Sequence, residues 1–163
     1  HVVFADPFCP VLSDLLAQAS DEAGATVHRG GTYVCMEGPL FSTRAESHLY
    51  RSWGASIIGM TALPEAKLAR EAEICYATLA CVTDYDCWHQ SHESVTIEMV
   101  LENLLANVAT SKQVLRQVAL SLPHHRGCGC ATALQDAIIT DPSRIPANVK
   151  QELSLLIGKY VKQ

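Results

Sequence analysis

ICYATLACVTDYDCW, residues 74–88, is the stretch from which the fold prediction starts. Its opening run, residues 74–82, is apolar and holds β-branched and aromatic side chains, which is typical of a buried strand. Asp84 and Asp86 follow directly. In α/β proteins, ligands bind at the carboxyl ends of strands. The stretch therefore predicts a strand that delivers two carboxylates to a binding site, although a solvated loop is the simpler alternative.

Strand and helix signals alternate on both sides of this stretch. Thr43 and Glu46 have the spacing of a capping box at a helix start, and Gly54 suits the end of that helix. The predicted strands cover residues 2–5, 26–28, 32–36, 55–61 and 74–82. The predicted helices cover residues 11–23, 43–53, 63–73, 94–122, 131–139 and 146–160. This alternation predicts an α/β protein with a central mixed sheet flanked by helices.

Composition narrows the function classes. A chain of 163 residues is long enough for one domain, and 18% charged residues is ordinary for a globular protein. The net charge of -5 argues against a nucleic-acid partner. No apolar run approaches the roughly 18 residues that a membrane span needs. The chain opens without Met in strand-like sequence, so we expect it to be a piece of a longer polypeptide.

The seven cysteines are mostly scattered. Cys35, Cys75 and Cys81 lie in apolar runs, where we expect buried free thiols. Cys128 and Cys130 flank a glycine in a linker that follows two histidines. Metal binding there is conceivable, but a second cysteine pair at zinc spacing is missing from the sequence. We therefore expect no metal, and a redox-sensitive pair or plain surface thiols instead.

Two further segments carry candidate binding groups. Gly38 permits close approach of backbone to a ligand, Phe41 suits a flat ring, and Ser42 stands near a helix N-terminus. Phe41 is also a candidate core aromatic. Met60 and Thr61 end another predicted strand. Strand ends from three parts of the chain predict one pocket if the sheet is mostly parallel.

Several motifs together resemble one family, the methylthioadenosine phosphorylase branch of the trimeric purine nucleoside phosphorylases. The motifs are residues 4–10, 36–46, 53–55, 59–65 and 80–88. The match is collinear over about residues 1–122, and residues 123–163 resemble the C-terminal region of prokaryotic members more loosely. The resemblance implies a purine nucleoside phosphorylase-like α/β fold. Residues 1–163 would then be the C-terminal part of one domain, with residues 1–122 as its core and residues 123–163 as linker and C-terminal helices.

The resemblance also implies a reaction in which phosphate attacks C1′ of methylthioadenosine and releases adenine and 5-methylthioribose 1-phosphate. Asp84 matches the acid that hydrogen-bonds N7 of the leaving base, and Asp86 matches the partner of the 6-amino group. N7 accepts a hydrogen bond, so its partner must carry a proton, whereas an ionised carboxylate suits the amino donor. Two close acids in a dry site split their pKa values in this way.

The remaining matched positions line the substrate. Phe41 and Ser42 match the purine wall, Met60 matches the residue under the ribose, and Thr61 matches a phosphate ligand. Three residues on one helical face match the apolar wall for the 5′-methylthio group: Ile97, Val100 and Leu101. His1 matches a histidine that reaches the 5′ end of the substrate from a neighbouring subunit.

Family members also carry an N-terminal half with an Arg-His phosphate site, which is not in this sequence. We therefore expect residues 1–163 to be inactive alone. The resemblance implies that the complete protein is a cytoplasmic homo-oligomer, a trimer or a multiple of one, with phosphate as cosubstrate and no cofactor. Three alternatives stay open. A 6-oxopurine nucleoside phosphorylase is disfavoured by Asp84, a hydrolytic nucleosidase would not need phosphate, and a non-catalytic interaction protein would explain the missing half.

Overall fold

The computed structural model describes residues 1–89 and 97–162, and only the backbone of Ile97, Met99 and Val100. The chain divides into two compact units. Unit 1 contains His1–Ser13, Pro64–Ala77 and Pro123–Gln163, and unit 2 contains Asp14–Leu63 and Thr78–Leu122.

The described residues form short strands and mostly short helices. The α-helices are α1 Pro10–Glu22, α2 Arg44–Ser52, α3 Ala62–Glu71, α4 Ile97–Ser121, α5 Ala147–Glu152 and α6 Ser154–Ile157. The strands are β1 Tyr33–Cys35 and β2 Ile57–Gly59, and single 3-10 turns cover Gly129–Thr132 and Pro142–Arg144. The chain is thus an α/β protein with a small parallel sheet.

β1 and β2 bring two chain segments of unit 2 side by side. They pair in parallel, with Tyr33 opposite Ile57 and Cys35 opposite Gly59. The backbone N–H of Met36 continues the ladder by donating to the carbonyl of Gly59 at 2.9 Å. Because both strands run the same way, the residues after Cys35 and after Gly59 leave the sheet at the same end. The predicted mixed sheet is represented in the described residues by this parallel pair.

The capping box that the sequence predicts for α2 is confirmed. The Thr43 side chain accepts from the backbone N–H of Glu46, and the Glu46 carboxylate accepts from the Thr43 N–H at 2.7 Å. These hydrogen bonds hold the pKa of Glu46 below its usual value. Trp53 caps the end of the helix, and Gly54 follows with a φ of 79°, as predicted for the residue after the helix.

The predicted buried strand at residues 74–82 is wrong. The structure assigns no strand there, and Ile74 and Val82 are 55% and 62% exposed. A strand needs a neighbouring backbone to satisfy its polar groups. In unit 2, the carbonyls of Val82 and Thr83 instead accept from the side-chain amides of Asn107 and Asn103 on α4, at 3.2 and 3.1 Å.

Other boundaries also differ from the sequence prediction. Residues 2–5 and 26–28 form no strand. A 3-10 turn and irregular turns replace the predicted helix at residues 131–139, and the last predicted helix is divided at Leu153 into α5 and α6. The predicted start of the long helix at residues 94–96 lies outside the described residues.

Each unit has its own small apolar core. Unit 1 buries Cys9, Ala66, Cys130, Leu134, Ala137 and Val161, and unit 2 buries Leu16, Ala19, Ala62, Val114 and Val118. Among the described helices, none combines the length and hydropathy that crossing a bilayer requires.

Candidate functional site

Residues 83–89, which we call the acidic loop, are held in part by hydrogen bonds within the loop. The backbone N–H of Asp86 donates to Asp84 Oδ1, and the Thr83 hydroxyl donates to Asp84 Oδ2, both at 2.8 Å. Asp86 has a φ of 59°, a left-handed conformation that Asp adopts more readily than most residues. The first of these bonds fixes the Asp84 carboxylate relative to the backbone of Asp86.

Ser47 on α2 orients the second acid. Its hydroxyl donates to Asp86 Oδ2 at 2.6 Å, and Ser47 is only 2% exposed. A hydrogen bond of this length to a carboxylate is charge-assisted and stronger than a neutral one. Asp86 is half-buried, whereas Asp84 is exposed, so the described residues of unit 2 do not enclose Asp84 in the dry site that the sequence predicts.

The segment after β1 lies beside the acidic loop. The Ser42 hydroxyl donates to Met36 Sδ at 3.2 Å, and the Cys87 thiol contacts the Ser42 carbonyl at 3.5 Å. The structure therefore brings Ser42 next to the segment that carries Asp84 and Asp86, as predicted. Phe41 is 82% exposed, so the alternative that Phe41 is a core aromatic does not hold within this chain.

Gly38 and Met60 bring the two strand ends into contact. Gly38 has a φ of 72°, and a Cβ built on it would lie 2.8 Å from Met60 Sδ. Both the backbone conformation and this close approach favour glycine. Thr61 is exposed and comes immediately before α3. The segments after β1 and β2 thus meet at Gly38 and Met60, and the acidic loop meets the segment after β1 at Ser42. That these groups form one binding pocket stays a prediction.

Aromatic contacts hold the C-terminal part of the acidic loop, residues 85–89. The rings of Tyr85 and His89 stack with centroids 4.8 Å apart, and Trp88 meets Tyr85 edge-on at 6.2 Å. The guanidinium of Arg51, in the last turn of α2, lies 3.4 Å from the centre of the Trp88 ring. A cation over an aromatic face at this distance is attractive. The loop is therefore anchored to α2 at two points, by Arg51 and by Ser47.

The predicted apolar wall on α4 is only partly described. α4 begins at Ile97, so the predicted helical placement of Ile97, Val100 and Leu101 is confirmed. Leu101 is 50% exposed, and the side chains of Ile97 and Val100 lie outside the described residues. His1 belongs to unit 1, where its terminal ammonium donates to the Ala137 carbonyl at 2.9 Å. Its predicted reach to a neighbouring subunit's substrate stays a prediction.

Unit 1 contains a second cluster, made of Cys9, Cys75, Cys128 and Cys130. Their sulfur atoms all lie within 4.8 Å of one another. Burial raises the pKa of the Cys75 thiol to about 11 and that of Cys130 to about 12. A hydrogen bond from the Cys130 backbone N–H lowers the pKa of Cys128 to about 7. Soft metal ions prefer thiolate ligands, and the sulfur atoms of this cluster are close enough together to hold one such ion.

Sequence reasoning missed the residues that position these groups. Ser47 gave one weak signal, a small polar residue on a helix just after a capping box. Asn103 and Asn107 stand four apart on α4, beside apolar residues, which puts two amides on one helical face. Cys9 and Cys75 are far apart in sequence, so their meeting with Cys128 and Cys130 follows only from the fold.

Comparison with known proteins identifies the family. Residues 1–119 match the family model described as the phosphorylase superfamily. An S-methyl-5'-thioadenosine phosphorylase of Geobacter sulfurreducens is 58% identical over 99% of this chain and 56% of that protein. A protein of the same name from Koribacter versatilis is 53% identical over 98% of this chain and 55% of its own length. The chain thus spans about half the length of these relatives.

Solved structures agree with the sequence comparison. A methylthioadenosine phosphorylase from an antarctic soil metagenomic library has a TM-score of 0.87 and 48% identity, over 96% of this chain and 56% of that one. A methylthioadenosine phosphorylase from Schistosoma mansoni, in complex with adenine, has a TM-score of 0.66 and 30% identity, over 97% of this chain and 55% of that one. The chain therefore belongs to the phosphorylase superfamily.

Proposed function

We propose that this chain is the C-terminal part of a phosphorylase domain that converts S-methyl-5'-thioadenosine and phosphate into adenine and 5-methylthioribose 1-phosphate. The observation that carries the proposal is the Asp84–Asp86 pair, fixed by the 2.8 Å hydrogen bond between them and by the 2.6 Å bond from Ser47. Relatives at 45–58% identity that bear the name of this activity support it.

In the proposed site the two acids bind the purine edge. Asp86, already accepting from Ser47, presents its other oxygen to the 6-amino donor of adenine. Asp84 donates a proton to N7, where negative charge grows as the base leaves. Both oxygens of Asp84 accept hydrogen bonds without substrate, from Thr83 and from the Asp86 backbone. Donation to N7 therefore requires that Asp84 bind a proton and that the Thr83 hydroxyl rotate away from the protonated oxygen.

The other groups are proposed to surround the sugar and phosphate. Phe41 and Ser42 form the wall beside the purine, Met60 lies under the ribose, and Thr61 binds phosphate. The predicted 5′-methylthio wall is Ile97, Val100 and Leu101, and His1 serves the active site of a neighbouring subunit. A phosphate dianion needs several charged or hydrogen-bonding partners, and Thr61 supplies one. We therefore propose that the remaining phosphate ligands come from outside residues 1–163, and that these residues alone do not catalyse phosphorolysis.

We further propose that the complete protein is a cytoplasmic homotrimer, or a multiple of one. All seven cysteines are free thiols in the structure, which suits a reducing compartment. Large apolar side chains such as Phe41, Leu120 and Leu155 are at least 82% exposed in the single chain, and contact with further protein surface would cover them. Light scattering coupled to size-exclusion chromatography measures the number of subunits.

A phosphate-dependence assay tests the proposed reaction. The complete protein is incubated with methylthioadenosine, with and without inorganic phosphate, and the products are separated. We expect equal amounts of adenine and 5-methylthioribose 1-phosphate, and no adenine without phosphate. Adenine release at the same rate without phosphate would indicate a hydrolytic nucleosidase. Turnover of 6-oxopurine nucleosides in preference to methylthioadenosine would overturn the proposed base specificity.

A further inference from the structure

The four cysteines of unit 1 come from three separate segments. Cys9 immediately precedes α1, Cys75 follows the end of α3, and Cys128 and Cys130 flank the start of the 3-10 turn at Gly129–Thr132. Their sulfur atoms lie within 4.8 Å of one another. Cys9 and Cys130 are buried, at 1% and 7% exposure, whereas Cys75 and Cys128 are half-buried. Two members of the cluster are therefore shielded from solvent, and two are partly accessible.

The spacing of the sulfur atoms suits a shared metal ion. The Sγ atoms of Cys75 and Cys128 are 3.5 Å apart, far beyond the roughly 2.05 Å of a disulfide bond. Four thiolates around zinc, each at about 2.3 Å, form a tetrahedron with edges of about 3.8 Å. No pair of sulfur atoms therefore needs to come closer by more than about 1 Å to match those edges, because the widest pair is within 4.8 Å.

Backbone hydrogen bonds hold the first two cysteines in place. The N–H of Cys9 donates to the Tyr76 carbonyl at 2.7 Å, which ties Cys9 to the residue after Cys75. The rings of Phe8 and Tyr76 also stack, with centroids 6.0 Å apart. Preorganised ligands of this kind reduce the conformational entropy that metal binding costs.

Glu73 forms hydrogen bonds with residues on either side of Cys128 and Cys130. Its carbonyl accepts from Arg126 Nη1 at 2.7 Å, and its carboxylate accepts from the Leu134 N–H at 3.0 Å and from Lys159 Nζ at 3.1 Å. Arg126 and Leu134 lie on either side of the Cys128–Cys130 pair in sequence. Glu73, two residues before Cys75, thus links the chain segment that carries Cys75 to the segment that carries Cys128 and Cys130.

We propose that Cys9, Cys75, Cys128 and Cys130 form a structural zinc site. Four thiolates in a tetrahedral arrangement select zinc over harder cations, and four protein ligands leave no open position for catalysis. Binding of Zn²⁺ replaces the thiol protons with four Zn–S bonds and releases those protons to solvent, so no group is oxidised or reduced. This inference departs from the sequence-based expectation of no metal, which considered Cys128 and Cys130 without Cys9 and Cys75.

Metal content and thiol state of the complete protein test the proposal. The protein is expressed in zinc-supplemented medium, purified without chelators or histidine tags, and analysed by inductively coupled plasma mass spectrometry. We expect about one zinc per chain, released when a mercurial reagent titrates the thiols. Cobalt(II) in place of zinc should give the intense visible absorption of a tetrahedral thiolate site. This spectrum reports ligand type without reference to enzyme activity.

Two serine variants provide the matched comparison. Cys130→Ser removes a buried member of the cluster and should lower bound zinc at least about tenfold. Cys81→Ser changes an exposed cysteine in unit 2 that contacts Ser111, and should leave zinc unchanged. If Cys130→Ser does not fold, the zinc content and cobalt spectrum of the unmodified protein still decide the question. A chain without stoichiometric metal, or a disulfide among these cysteines in a non-reduced digest, would overturn the proposal.

Discussion

Removing the hydroxyl of Ser47 tests how Asp86 is positioned. The substitution Ser47→Ala removes the donor that lies 2.6 Å from Asp86 Oδ2 and leaves the rest of α2 in place. Ser47 is 2% exposed, so water does not readily replace the lost hydroxyl. Asp86 then loses the hydrogen bond from Ser47 that holds its carboxylate, and its proposed orientation toward the purine amino group should loosen.

The size of the effect follows from the kind of hydrogen bond. A hydrogen bond to a charged group contributes about 1.5–3 kcal/mol. If the whole contribution is lost when the base is bound in the transition state, kcat/KM for methylthioadenosine falls roughly 10- to 150-fold. Because the loss concerns recognition of the 6-amino group, turnover of a 6-oxopurine nucleoside should change much less. A merely structural defect would lower both activities together.

Ser52→Ala is the matched control on the same helix. Its exposed hydroxyl donates to the Leu49 carbonyl at 2.7 Å and contacts neither acid. The assay measures adenine release by the complete protein at several substrate concentrations, together with urea unfolding of each variant. Equal kinetic constants for Ser47→Ala and Ser52→Ala, with both proteins folded, would refute the assignment of Ser47 as the residue that positions Asp86.

Two further predictions concern the strand ends and unit 1. Gly38→Ala forces a side chain into a left-handed backbone and against Met60, so we expect a loss of about 1–2 kcal/mol in unfolding free energy and a raised KM, measured by urea unfolding and steady-state kinetics. Burial raises the pKa of Glu73, but hydrogen bonds from Tyr160, the Leu134 N–H and Lys159 outweigh burial, so the pKa lies below 4.5. The stability from Glu73 is therefore present above pH 4.5 and is lost as pH falls through the folded-state pKa. Glu73→Gln should lower the melting temperature at pH 7 and make less difference in acid; a constant difference across that range would contradict the assignment.

Elements with local signals could be predicted from the sequence. The capping box of Thr43 and Glu46 and the glycine at position 54 mark both ends of α2, because helix termini are satisfied by residues within a few positions. The apolar spacing after Val11 predicts α1 for the same reason. The meeting of the segments after β1 and β2, at Gly38 and Met60, follows from parallel strands, whose carboxyl ends share one edge.

Elements that depend on distant partners could not be predicted in this way. Residues 74–82 have strand composition, but in unit 2 their last carbonyl accepts from an asparagine amide on α4 and not from a neighbouring strand. Composition reports how a segment would pack, while a strand also requires an adjacent backbone. The meeting of Cys9 and Cys75 with Cys128 and Cys130 likewise depends on tertiary contacts such as those of Glu73.

The base preference of the complete protein with Asp84→Asn tests the central claim most directly. The measurement is the ratio of kcat/KM for methylthioadenosine to kcat/KM for its 6-oxopurine counterpart, with exposed Asp136→Asn as the control. Mismatched buried polar groups discriminate bases by up to about 10⁴-fold, so the account predicts that the ratio falls by at least about tenfold in Asp84→Asn. A ratio that stays equal to that of the unmodified protein and of Asp136→Asn would contradict the assignment of Asp84 as the residue that binds the purine base.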